Sequence, residues 1–334
     1  MKKFVSIFLC LVILALACCV TAAADYKPGE FQIRIATVTS GSHPWVQMAE
    51  YMAKELNERS NGAIEVTVAP GGQLGNDEAT IDDMRLGTLD MVLGGTQNAA
   101  PFVSQLQVLS MHYLFPNRDA FEAALVQNGD VFNYIQGKYE EQGLGLRLLG
   151  LCNSGRRDMH TTKAVNSLAD IKGMKMRVTS SQTESDVWSS LGVIPTSMAF
   201  NDIYSAAQSN TVSAFECTLS AYNSSALYEV APYHIATGHQ FTPSHVTISE
   251  ITWNRLPEEF KTLFYEVVAE ACELGNRIAD EADDTLLETL VAEKGVIVCE
   301  PDLTDFRAAV EPLWGTIAKN CKGEDFLALI QAQF

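Results

Sequence analysis

The sequence predicts an α/β fold, and three observations carry the prediction. Strand and helix patterns alternate through the N-terminal half with short connections, which implies right-handed crossovers and a parallel sheet. About 310 residues follow an export signal, enough for two α/β domains. A helical pattern from Pro257 to Glu293, interrupted only by Gly275, would run about 55 Å. That is longer than one domain is wide, so the helix is expected to brace two lobes.

The elements follow in order. Phe31 to Val38 alternates as a strand, and Pro44 suits the first turn of a helix capped by Ser42 or His43. Ala49, Met52, Ala53 and Leu56 recur at helical spacing before Asn61-Gly62 ends the run. A strand over 63–69 leads into the loop Pro70-Gly71-Gly72-Gln73-Leu74-Gly75. Asn76 then caps a helix closed by Gly87, with Asp77 and Glu78 in its first turn. Leu89 to Leu93 is a short strand, and Leu144 to Leu151 another. The second unit has a strand from Gly173 to Val178, a helix from Ser181 to Leu191, a helix capped by Asn201 and running to Gln208, and a strand from Val212 to Glu216. Ser244 to Trp253 reads as a long strand; after the long helix come a strand at Val296–Cys299 and helices near 303–319 and 323–332.

Residues 1–24 have the order of a secretory signal: Lys2 and Lys3, an uncharged run from Phe4 to Val20, then Ala22-Ala23-Ala24 before Asp25. Cleavage near Ala24 and a periplasmic location are expected. Lipid anchoring through Cys18 is the weaker alternative, because Ala15-Leu16-Ala17 fits a lipidation box poorly. Removing this segment takes two lysines and no acid, leaving 21 basic against 41 acidic residues, net −20. Such a surface disfavours nucleic acid and anionic membranes as partners. Cys152, Cys217, Cys272, Cys299 and Cys321 remain, an odd number, and Cys299 and Cys321 flank one predicted helix and could bridge. No spacing points to zinc or another cofactor.

No nucleophile elbow, zinc-protease helix or Walker loop is present. The informative constellation is Met174 to Val178. Alternation puts Lys175 and Arg177 on one strand face, with Arg177 near the carboxyl end and a helix N-terminus just beyond Thr179-Ser180-Ser181. Ligands of open α/β sheets bind outside strand carboxyl ends, and a guanidinium there can clamp a carboxylate. Taken alone it also reads as an ordinary surface arginine. Arg156-Arg157 forms a second basic spot that alone reads as a solvated loop.

Taken together, these segments resemble the solute-binding (extracytoplasmic) receptors of TRAP transporters, the DctP-like family. Pro70 to Gly75 with Gly87 and Asp90 is similar to its PGGQLG…G-x-x-D-M block, and Ile171 to Arg177 to its L-K-G-x-K-x-R strand. Pro195 to Gln208 and Tyr228-Glu229-Val230 resemble two further family segments. The resemblance implies a two-lobe periplasmic-binding-protein-like fold with crossing hinge strands. Lobe I would be 25–154 plus 243–282, and lobe II 155–242 plus 283–334. It implies that Arg177 binds the ligand carboxylate, with Arg157, Phe200, Cys217, Glu216, Gln73, Ser180 and Trp45 as further ligand-site residues. It also implies a monomeric receptor without catalysis that hands a small organic carboxylate to membrane permease subunits.

One departure bears on the ligand. The family often reads V-D-G-x-E-N-P where this chain has Val212 to Thr218, so Cys217 stands in place of a ligand-assisting asparagine. With Phe200, Trp188, Trp45 and Met198, this leans toward a less polar monocarboxylate, such as an aromatic or branched amino acid or 2-oxo acid. A sugar acid or dicarboxylate is the alternative, as are a periplasmic enzyme and a sensor input on the same architecture.

Overall fold

The computed structural model describes residues 26–334. The predicted signal, its cleavage point and Cys18 lie outside the described residues.

One mixed sheet runs through the molecule. Its strands are β1 (Phe31–Ala36), β2 (Ile64–Ala69), β3 (Met91–Gly95), β4 (Leu146–Thr161), β5 (Lys175–Val178), β6 (Ile194–Ser197), β7 (Ala214–Thr218), β8 (Tyr233–Ser249) and β9 (Ile297–Cys299). The order is β2-β1-β3-β8-β4-β7-β5-β6, with β9 beside β8. β2-β1-β3 and β7-β5-β6 are parallel, as alternating strands and helices require.

The two long antiparallel strands join these halves. One end of β8 pairs with β3, and one end of β4 pairs with β7. Between the halves the β4–β8 register shifts from Asn153↔Pro243 to Arg156↔Phe241, leaving Ser154 and Gly155 as a bulge. Pro243 has no N–H for the ladder, and a bulge is where a central strand tolerates it. Gly155, at φ 107°, takes a backbone conformation that side chains disfavour. The backbone donors at this crossing are met by side chains. Asn153 N donates to Asn276 Oδ1, Gly155 N to Asn153 Oδ1, and Arg156 N to Asp283 Oδ2, each at 2.8 Å.

Both crossing strands exceed the sequence expectation. β4 extends past Leu151 to Thr161, and β8 begins at Tyr233, not Ser244. The missing halves hold Asn153, Ser154, Asp158, His160, His234 and His239, all buried, so alternation of apolar and polar residues fails there. Glu250–Trp253 is a helical turn, not the end of that strand.

The bracing helix is continuous from Glu258 to Lys294, with a π-helical segment at Ala282–Leu286. Gly275 does not interrupt it. Met48 of helix Pro44–Arg59 packs so closely there that a Cβ at 275 would collide with its Sδ. The π segment carries Asp283, the acceptor for Arg156 N. Arg118 clasps the same region through Asp280 and Asp284, each at 3.0 Å.

Three apolar clusters flank the sheet. One places Ile33, Met48, Phe264 and Val268 between the first half-sheet and the 44–59 and 258–281 helices. A second gathers Ile203, Phe215, Tyr222 and Leu290 beside β7. The largest spans both halves and includes Met84, Phe121, Trp188, Phe306 and Phe326. All five cysteines among the described residues are buried and free. The bridge considered between Cys299 and Cys321 does not form.

Candidate functional site

A cavity opens where strand carboxyl ends from both half-sheets meet the crossing strands, the place the crevice rule selects. The chain leaving β1 contributes Val38 and Thr39, and the turn after β3 contributes Gln97 and Asn98. β5 and β7 bring Arg177, Thr179, Cys217 and Thr218. The crossing strands add Ser154, Arg157 and Thr242, and Trp45 and Phe200 close the sides.

Arg177 is 2 % exposed, and its side chain also lines an adjoining pocket of ≈ 150 Å³ with Asp77, Ser180 and Met198. Nε donates to the Met198 carbonyl at 2.9 Å, and Phe200 lies beneath the guanidinium, 6.0 Å to the ring centre. Burial pushes its pKa down, opposed by Glu216. Arg157 is held by the Glu216 carboxylate and by its backbone carbonyl at 3.1 Å. Burial alone would raise the Glu216 pKa. Arg157 and His239 instead hold it well below the carboxylate range, so Glu216 stays charged. Glu216 Oε1 lies 3.8 Å from Arg177 Nη1. The Glu216 carboxylate thus faces both guanidiniums, and Asp77 faces Arg177 across the adjoining pocket.

The predicted site residues divide clearly. Arg177, Arg157, Phe200, Cys217 and Trp45 line the main cavity, Ser180 lines the adjoining one, and Glu216 sits beneath both arginines. Gln73 does not join them; it is exposed on its loop and lines neither cavity. The loop instead meets Asn201. Asn201 is expected as a helix cap but lies in the middle of the 3₁₀ turn Phe200–Asp202, and its Nδ2 donates to the Gly71 carbonyl at 3.1 Å. A Cβ on Gly72, at φ 71°, would lie 2.9 Å from that nitrogen, so only glycine permits this contact across the cleft.

His43 is a pocket residue that sequence reasoning assigned only to capping. Its Nδ1 accepts from Trp45 N at 3.2 Å, so the ring proton sits on Nε2. Burial pushes its pKa down to about 3, and a neutral N–H donor therefore lines the cavity. Gln97, Asn98, Thr39, Thr179 and Thr218 were also missed. Each lies at or just past a strand's carboxyl end, the signal that could have found them.

Of the side chains behind the lean toward a less polar ligand, Trp45 and Phe200 line the cavity, beside Val38 and Ala221, and Trp188 and Met198 do not. Trp188 is core at 1 % exposure, and Met198 lines only the adjoining pocket. Amides and hydroxyls surround Cys217, whose thiol burial pushes up and keeps neutral.

Residues 35–320 match the bacterial extracellular solute-binding protein family 7, DctP. The chain is 27% identical to the sialic acid-binding periplasmic protein SiaP of Vibrio cholerae over 96% of each sequence. It is similar to the TRAP periplasmic solute-binding protein of Bradyrhizobium sp. BTAi1 in complex with α/β-D-galacturonate. The TM-score is 0.84 at 29% identity, covering 90% of this chain and 99% of the other. A counterpart from Pseudomonas putida F1 with bound D-glucuronate gives a TM-score of 0.83 at 26% identity, covering 90% and 97%. With two half-sheets meeting at an arginine-lined cleft, the chain belongs to the family 7 extracellular solute-binding proteins, the substrate-binding receptors of TRAP transporters.

Proposed function

We propose that the protein is a periplasmic receptor for a hydroxylated monocarboxylate of the sugar-acid type, which it delivers as a monomer to TRAP permease subunits. The observation that carries this reading is the set of polar groups in the cavity lining. Cationic charge is confined to Arg177 and Arg157, while Thr39, His43, Gln97 and Asn98 are neutral hydrogen-bonding groups. A carboxylate suits the arginines, and hydroxyl or ring oxygens suit the neutral groups. A second carboxylate would meet no cation there, so a dicarboxylate is disfavoured. The uronates held by the Bradyrhizobium and Pseudomonas proteins support the same class.

In the mechanism, Arg177 ion-pairs with the carboxylate while Glu216 fixes the arginine pair. Lobe I, 25–154 with 243–282, and lobe II, 155–242 with 283–334, close by bending at the Asn153–Arg156 bulge. Asn201 meeting Gly71 marks the closed rim. Closure removes water and strengthens the ion pair. Binding and release, with no bond made or broken, is the whole cycle.

Thermal melting of residues 25–334, refolded without ligand, tests this against galacturonate, glucuronate, succinate, 2-oxo acids and branched amino acids. A ligand at 100 times its Kd adds about 2.7 kcal/mol of stability. Shifts of several degrees with uronates alone are expected. A response confined to succinate or to the apolar acids would overturn the reading.

A further inference from the structure

Beyond the cleft, a cavity of ≈ 310 Å³ lies against the 236–241 segment of β8. That volume is within the range of small-molecule sites. Two arginines line it, Arg156 and Arg307, and no acidic side chain does. In a chain of net charge −18 this is uncommon. Arg307 lies over the Tyr113 ring at 4.0 Å and has no ion pair among the described residues. The Arg156 guanidinium has Asp158 at 3.6 Å, Asp283 takes the residue's backbone N–H, and Nε is buried without a hydrogen-bond partner. Gln240, 6 % exposed, leaves Oε1 equally unpartnered. Phe241 and Leu303 supply apolar wall.

Tyr113 is held at φ 59°, a region costly for a bulky residue. Its N–H donates to the His239 carbonyl at 2.7 Å and its hydroxyl to the Thr237 carbonyl at 3.3 Å. Strain of this kind collects at ligand clamps. Here it presents an aromatic face beneath an uncommitted guanidinium.

We propose that this cavity is a second binding site, taking a small organic anion with a planar apolar body. The anionic group would lie between Arg156 and Arg307, and the body against Phe241 and Leu303. Because Arg156 pairs with Phe241 at the hinge register shift, occupancy is expected to alter cleft affinity, and reciprocally.

The test is calorimetric titration of 2-naphthoate into the Arg177→Ala protein, whose cleft clamp is gone. Binding that survives Arg177→Ala and weakens about tenfold or more in Arg307→Gln and Arg156→Gln is expected. Melting curves of each variant establish that it is folded. Absence of binding up to about 10 mM, an affinity below any specific anion site, would overturn the proposal. Binding that disappears with Arg177→Ala, or that ignores both glutamine variants, would do so equally.

Discussion

At the scale of single residues, the cleft depends on side chains whose charge state is fixed by their surroundings. Arg177→Ala is expected to abolish measurable carboxylate binding by calorimetry, a loss of about 1.5–3 kcal/mol or more, while circular dichroism stays native. His43→Asn separates two jobs. The shorter amide still caps the 44–59 helix, but the Nε2–H donor is lost, so affinity for a uronate should fall about tenfold with little change in Tm. An unchanged Kd would remove His43 from the recognition set. Asp283 gives a pH signature. Burial pushes its pKa up to about 7, so the folded state holds the proton more tightly than the unfolded chain. This group's contribution to stability therefore falls as pH rises from about 4 to 7 and then levels off. Asp283→Asn, which can still accept from Arg156 N, should match the parent near pH 4 and melt higher at pH 8. A Tm difference independent of pH would contradict that account.

At the scale of elements, the glycine loop and the bracing helix make the clearest demands. Gly72→Ala places a methyl against Asn201 and also strains φ 71°. It should weaken ligand affinity more than it lowers the apo Tm, because the contact belongs to the closed rim. Equal effects on both would mean the loop serves folding alone. The short parallel strands other than β6, the helix caps at His43 and Asn76 and the stop at Gly87 were legible because each rests on local backbone chemistry. The second halves of β4 and β8 were not. Their buried positions hold histidine, asparagine and aspartate; Asn153 and Asp158 bond to partners distant in sequence, and no periodicity records such partners. The π segment left no trace either, since its reason is an acceptor needed on a neighbouring strand.

At the scale of the whole molecule, the family and the arginines of the cleft were readable because Arg177 sits on a strand of recognisable pattern. The neutral part of the lining was not readable. Thr39 and His43 come from the connection after β1, and Gln97 and Asn98 from the turn after β3, and only the fold assembles them. Judging the pocket from Cys217 and nearby aromatics passed over the polar groups that share its lining.

The side-chain acceptors at the crossing of β4 and β8 bear on how the lobes move. A hinge whose amides belonged to the ladder would have to rupture sheet hydrogen bonds to bend, exposing buried donors at about 1–3 kcal/mol each. Here Asn276 and Asp283 reach down from the bracing helix, and Asn153 turns back on its own strand. Rotatable side chains can follow a backbone that ladder partners could not, so the hinge can flex with its donors still occupied. Amide exchange at 153, 155 and 156 should then stay slow in the open, ligand-free protein and hardly change on closure, while the Gly71–Asn201 rim slows sharply.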